Sequence, residues 1–287
     1  MSDRYDETTN ERIKIINDNK ETRISTNSSI DNDLDIQENS IKEKWNSEYL
    51  LLVKANIRQS VDAFFSNYVS EEKLEQCLET LTFMDQNELT RLYMSGGGII
   101  PNGILGFNDA KSSNIAFDRK GVTSDGYVGN NQIQGSRGFK INFAFVTAIH
   151  ENLHMMSAND QLNEIRRGIM VGNDEKSRAM NEAFTEYFTF ISCGGDEPFG
   201  GMYPGIYSAY HNLMKEMPII EKAIGREYMM EAYFKNKPEI IRDKIDSILG
   251  NGAWDNMCYA AYDILYNDKA VEGVKLLNKY LDLLKQQ

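Results

Sequence analysis

Ile141-Asn142-Phe143-Ala144-Phe145-Val146-Thr147-Ala148-Ile149 runs directly into His150-Glu151-Asn152-Leu153-His154. The apolar run reads as a helix, and a helix of about 3.6 residues per turn stacks positions i and i+4 on one face. Both imidazoles can then aim at one point. Two neutral imidazoles at that spacing suit Zn²⁺, and Glu151 lies beside them, able to take a proton from a metal-bound water. The chain has only 3 histidines, and this stretch holds two of them. The plain alternative is a pair of helix histidines that pack or face solvent.

A catalytic zinc site needs a third protein ligand and an open position for water. His211 is the one further histidine, and there is no C-x-x-C pair. Glu182 is the better candidate, 28 positions after His154, in the helical stretch 178–191. Glu182 and Glu186 share a face there, with Met180, Phe184, Tyr187, Phe188 and Ile191 supplying apolar surface nearby. Carboxylates on so apolar a helix are costly to bury unless paired or metal-bound. Glu182 would coordinate the metal, and Glu186 would accept the spare N–H of a ligand histidine and fix its tautomer. A solvated Glu pair at i,i+4 is the simpler reading of the same residues.

The order His150–His154, then Asn181-Glu182-x-x-Thr185-Glu186, resembles the gluzincins, metallopeptidases whose third zinc ligand is a glutamate. It is nearest to bacterial proteins with an N-E-x-x-T-E second motif, and the likeness covers roughly residues 100–220. The resemblance implies one zinc per chain on His150, His154 and Glu182, with Glu186 supporting the first histidine. It implies Glu151 as general base for water attacking a peptide carbonyl, and a Tyr or His downstream as oxyanion partner. Tyr203, in a Tyr-Pro step, is the first choice, with Tyr207, Tyr210 and His211 open. It also implies an edge strand ahead of the active-site helix that pairs with the substrate backbone, for which Ile115-Ala116-Phe117 is the candidate. An edge strand without that role is equally compatible with these residues.

The rest of the composition limits the alternatives. A net charge of −12 and a pI near 4.9 argue against a nucleic-acid surface and against binding to anionic membranes. Cys77, Cys193 and Cys258 are odd in number and widely spaced, so they suggest no disulfide framework and read as small buried hydrophobes. Cys193, just past the glutamate helix, is a remote candidate ligand. No signal-peptide core and no long apolar span is legible, so the expectation is a cytoplasmic protein, with export by a specialised route left open.

Along the chain, residues 1–44 are rich in Asp, Glu, Asn, Ser and Thr and read as a disordered tail, idle or serving recognition or secretion. Residues 45–95 read as a helical subdomain with a stripe of Leu51, Leu52, Ala55, Val61, Phe64, Phe65 and Tyr68, and a helix start at Ser70. Residues 96–287 read as the catalytic domain. After a turn at 95–98, short β-prone runs at 99–100, 103–107, 114–117 and 126–128 suggest a small twisted antiparallel or mixed sheet. Helices at 219–234, 238–249, 251–266 and 269–285 follow, and are expected to carry little chemistry. The expected fold is α+β and mostly α: a zincin-like core with an active-site helix and a glutamate helix, flanked by helical bundles. The expected function is a zinc-dependent metallopeptidase acting on peptide or protein substrates, with no nucleic-acid or membrane partner. An effector or toxin attacking a partner's proteins, a zinc hydrolase of a non-peptide amide, and a non-catalytic binding domain are the competing readings; retention of Glu151 argues against the last. Oligomeric state is not legible.

Overall fold

A single file of residues, Val53, Ile57, Val61, Phe65 and Val69, lies buried along the first described helix, α1 (residues 53–64), and the turn after it. The expected stripe included Leu51, Ala55 and Phe64, but these are exposed. The buried file keeps a strict i,i+4 spacing, which is one helix face. The apolar residues off that file extend the hydrophobic pattern without joining the core.

The computed structural model describes residues 50–84 except 52, 91–92, 106–108, 113–116, 132–134, 140–159, 166–171, 174–193 and 211–287 except 268. Contacts divide the chain into Met1–Tyr49 and Leu50–Gln287, and every described residue lies in the second unit. The expectations for residues 1–44, for the turn at 95–98, for a strand at 126–128, and for Phe117, Tyr203, Tyr207 and Tyr210 fall outside the described residues.

Helix α2 (Glu71–Glu79) starts where expected: the Ser70 side chain accepts from the Lys73 amide at 3.2 Å, and Glu71 and Glu72 occupy the first turn. The stretch 45–95, read as helical, then turns to strand at β1 (Thr82–Met84). Strands β2 (Gly106–Asn108) and β3 (Ser113–Ala116) complete a mixed sheet of order β1-β3-β2. β1 runs parallel to β3, and β2 runs antiparallel to it. β3 is therefore bonded on both sides. Ile115 and Ala116 lie in the central strand, which corrects the expectation that they form an edge.

Strands β4 (Gln132–Gln134) and β5 (Lys140–Asn142) make an antiparallel pair, and β5 leads straight into α3 (Phe143–Met156). The helix thus starts two residues later than the apolar run, because Ile141 belongs to the strand. Three short strands follow, β6 (Ala158–Asn159), β7 (Arg166–Arg167) and β8 (Met170–Val171), antiparallel in that order. They form no part of the sequence expectation. Pairs this short leave no periodicity to read.

Helix α4 (Glu175–Ser192) is capped by Asp174, whose side chain accepts from the Lys176 amide at 3.2 Å. Its buried residues occur on every side, from Ala179 and Met180 through Phe184, Thr185 and Phe188 to Ile191. It packs against α3 and against a later helix, so it is the central rod of the unit. The C-terminal third is helical as expected, with one change. The expected helix 219–234 breaks at Gly225 (φ 94°) into α5 (Met217–Ile224) and α6 (Arg226–Phe234). Then come α7 (Pro238–Leu249), α8 (Ala253–Tyr266) and α9 (Ala270–Lys285). α8 lies on α4, and α9 on α8. Gly273 allows the last contact, since a Cβ there would sit 2.6 Å from the Ala260 carbonyl oxygen.

Aromatic rings tie these layers together. Phe188 of α4 lies 5.9 Å from Phe65, 5.1 Å from Tyr233 and 5.7 Å from Phe234, centroid to centroid, joining the N-terminal helices to α6 through α4. Among the described residues the architecture is mostly helical α+β with small sheets, and no described helix is long and apolar enough to cross a membrane.

Candidate metal centre

Three atoms from two helices converge on one point. His150 Nε2 lies 3.1 Å from His154 Nε2, and Glu182 Oε2 lies 3.3 Å from the first and 3.2 Å from the second. A tetrahedral centre with ligands at about 2.0–2.1 Å spaces them about 3.3–3.4 Å apart. The observed triangle has that size. The side chains retain 15%, 12% and 19% of their exposure, so the cluster is largely shielded. His150, His154 and Glu182 are the group that could hold a metal ion among the described residues.

The hydrogen bonds behind the imidazoles show what faces the centre. Glu186 Oε2 lies 3.0 Å from His150 Nδ1. A carboxylate can only accept, so that nitrogen carries hydrogen, leaving the Nε2 lone pair of a neutral His150 free for the centre. His154 Nδ1 faces the Thr185 hydroxyl at 3.4 Å. Glu182 thus lies in the triangle with both histidines, and Glu186 lies behind the first of them.

Burial pushes the His150 imidazole down, yet its bonds to Glu182 and Glu186 carry it well above the usual histidine value. Burial pushes Glu182 up, and His154 and His150 more than reverse this, leaving its carboxyl well below the usual range. Glu151 is 8% exposed and stands outside the triangle. Burial raises its pKa, against the opposing pull of His150 and His154, and Arg167 of β7 also bears on it. A buried carboxyl with a raised pKa beside a cluster of ligand atoms suits proton transfer better than coordination.

The backbone around the site is held by side chains that the sequence does not advertise. Asn181 Oδ1 accepts from the Ile169 amide at 3.0 Å, fixing the β7–β8 turn to α4. Gly168 in that turn has φ 56°, and a Cβ there would collide with the Asn181 side chain and lie 2.6 Å from the Tyr233 ring. Asn236, itself at φ 53°, donates to the Ser157 and Gly168 carbonyls, and its own carbonyl accepts from Arg166 at 3.0 Å. Tyr233 reaches Thr185, O to O, at 2.7 Å. The C-terminal helices, expected to be chemically idle, therefore send Tyr233 to the back of the site. No spacing rule joins residues 48 positions apart; a buried tyrosine needing a partner was the only available signal.

Other candidates fall away from the centre. His211 is buried (3% exposed) at the head of the helical turn 211–214 and is not in the cluster. Burial pushes the Cys193 thiol up to about 12, which keeps it protonated and a poor ligand. Cys77 and Cys258 are free and buried. Compared with family models, curated proteins and solved structures, the chain matches none.

Proposed function

We propose that the chain is a zinc-dependent metallopeptidase with a gluzincin-type centre on a zincin-like core. The observation that carries this reading is the triangle of His150 Nε2, His154 Nε2 and Glu182 Oε2 at 3.1–3.3 Å, with Glu151 buried beside it. A zinc ion held there would acidify a bound water and polarise a substrate carbonyl. Glu151 is the residue to accept the water proton and return it to the leaving amine. Glu186 keeps the His150 lone pair turned to the centre. An extended substrate needs an open strand edge beside α3. α3 packs against β3 and β2, and since β3 is central, the edge on offer among the described residues is that of β2, Gly106–Asn108.

The test joins two measurements on purified protein. Elemental analysis should find one zinc per chain, lost to chelators and restored by added Zn²⁺. Cleavage profiling on a proteome-derived peptide library should show cuts that vanish in Glu151→Gln. Protein with no zinc, and no uptake on reconstitution, would end the reading. Zinc with no cut peptide would move the assignment to hydrolysis of a non-peptide amide.

A further inference from the structure

Arg166 and Arg167 are the two residues of β7, and consecutive strand residues send their side chains to opposite faces. Arg166 is committed to one face, where its guanidinium donates to the Asn236 carbonyl at 3.0 Å. Arg167 therefore points to the other. Its charge is felt there by Glu151, the buried carboxyl beside the ligand triangle.

The backbone that carries Arg167 is fixed from several sides. Arg167 pairs with Ala158 of β6, two residues beyond the end of α3, and with Met170 of β8. The next residue, Gly168, donates its amide to the Ser157 carbonyl at 3.2 Å, and its own carbonyl accepts from Asn236. The Asn181 side chain, one position before Glu182, accepts from the Ile169 amide at 3.0 Å. The cation is thus tied to both helices that supply the triangle, α3 and α4. A side chain on such a frame holds its place relative to the centre before any substrate arrives.

Arg167 is half-buried, with its Nε sealed from solvent. Keeping a guanidinium there costs desolvation, and a carboxylate offsets that cost best because it matches the fork of N–H donors. Five such donors are more than one neighbouring carboxylate can use. The chain as a whole acts in the opposite sense, since a net charge of −12 repels acidic peptides at long range. A preference for acidic substrate would therefore be local to the site, where Arg167 is the arginine facing Glu151.

We propose that Arg167 is a specificity-determining residue that binds a carboxylate of the substrate, from an acidic side chain beside the scissile bond or from a free C-terminus. The cleavage step rests on the metallopeptidase reading above; the carboxylate site is also readable by binding alone.

The test profiles cleavage of a proteome-derived peptide library by wild type, Arg167→Gln and Arg167→Glu. Wild type should favour Asp or Glu at one position beside the cut, or should cut near a free C-terminus and stop when that terminus is amidated. Between matched peptides with and without the carboxylate, the wild-type kcat/KM should differ by about 10–100-fold, the scale of a bond to a charged group. In Arg167→Gln the two peptides should become equal, with the loss in KM and zinc content unchanged. Arg167→Glu should turn the preference to Lys or Arg, which no loss of packing produces; if that variant does not fold, Arg167→Gln decides. Arg166→Gln, on the opposite face, should lower thermal stability and leave the preference intact. A wild type indifferent to the carboxylate overturns the proposal, and so does a preference that survives in folded Arg167→Gln. If wild type holds no zinc or cuts nothing, the peptidase reading fails, and fluorescence anisotropy of a labelled Glu-rich peptide decides on Arg167. Binding lost in Arg167→Gln supports the site; no binding, or equal binding, overturns it.

Discussion

His150 and His154 stand one turn apart on α3 and are met from behind by different chemistry. The His150 side has Glu186, an anion at 3.0 Å; the His154 side has Thr185, a neutral hydroxyl at 3.4 Å with Tyr233 beyond it. Charge-assisted bonds are shorter and roughly twice as strong as neutral ones. One side therefore holds its imidazole by electrostatics. On the other, the neutral Thr185 hydroxyl in turn meets Tyr233 of α6, far along the chain. Ahead of both lies Glu182, the one residue shared by the two sides, at 3.3 and 3.2 Å. Its removal should have the largest effect of all. Glu182→Ala leaves two protein ligands where catalytic zinc sites use three, so it should purify essentially zinc-free, with no activity. A Glu182→Ala protein that keeps one zinc per chain would dissolve the comparison, because the centre would lie elsewhere.

Next in size is Glu151→Gln. It belongs to neither side, and in the proposed mechanism its carboxylate would move protons without coordinating the metal. Turnover should fall by roughly 10²–10⁴, while zinc content and thermal stability stay near wild type. Comparable activity in the variant would exclude Glu151 as the base. Glu186→Ala follows, and it measures the charged side directly. It should still bind zinc, with affinity or activity lower by about 10–100-fold. Its loss should exceed that of Thr185→Val, because the bond is shorter and charged. The opposite order in a chelator competition would mean that the neutral side dominates.

The front of the site was legible from spacing and the back was not. His150 with His154, and Glu182 with Glu186, are i,i+4 pairs, and a helix converts that spacing into a shared face regardless of tertiary detail. Glu182 and Glu186 part company by one turn, and that turn is what puts one at the triangle and the other behind His150. Thr185 and Tyr233 meet only because α6 packs on α4, and nothing local in either stretch encodes that meeting. The sheet shows the same division. A β-prone stretch at 114–117 was visible, but whether its strand is central or an edge depends on β1, three residues in a stretch that reads as helix. The exposed Leu51 and Phe64 misled in the same way: apolar character was read correctly, while the face it occupies was fixed by what α1 packs against.

Tyr187 follows Glu186 directly in the chain, and it supplies the smallest expected effect. Its side chain leaves the centre and donates to Glu221 of α5 at 2.6 Å, where Arg226 also holds the carboxylate at 3.0 and 2.7 Å. Burial pushes the phenol up to about 12, so it remains a donor at any working pH. Tyr187→Phe removes one hydrogen bond to a carboxylate that keeps its guanidinium partner. Because Glu221 is still satisfied, the cost should be about 1 kcal/mol, below the usual range for a bond to a charged group. For a unit of this size that is a fall of about 2–4 °C in Tm. Zinc affinity and turnover should not move. If this variant instead lowers zinc affinity, α4 responds to any loosening of its packing. A Tm shift without an affinity change separates Tyr187, which ties α4 to α5, from Glu186 beside it, which faces His150.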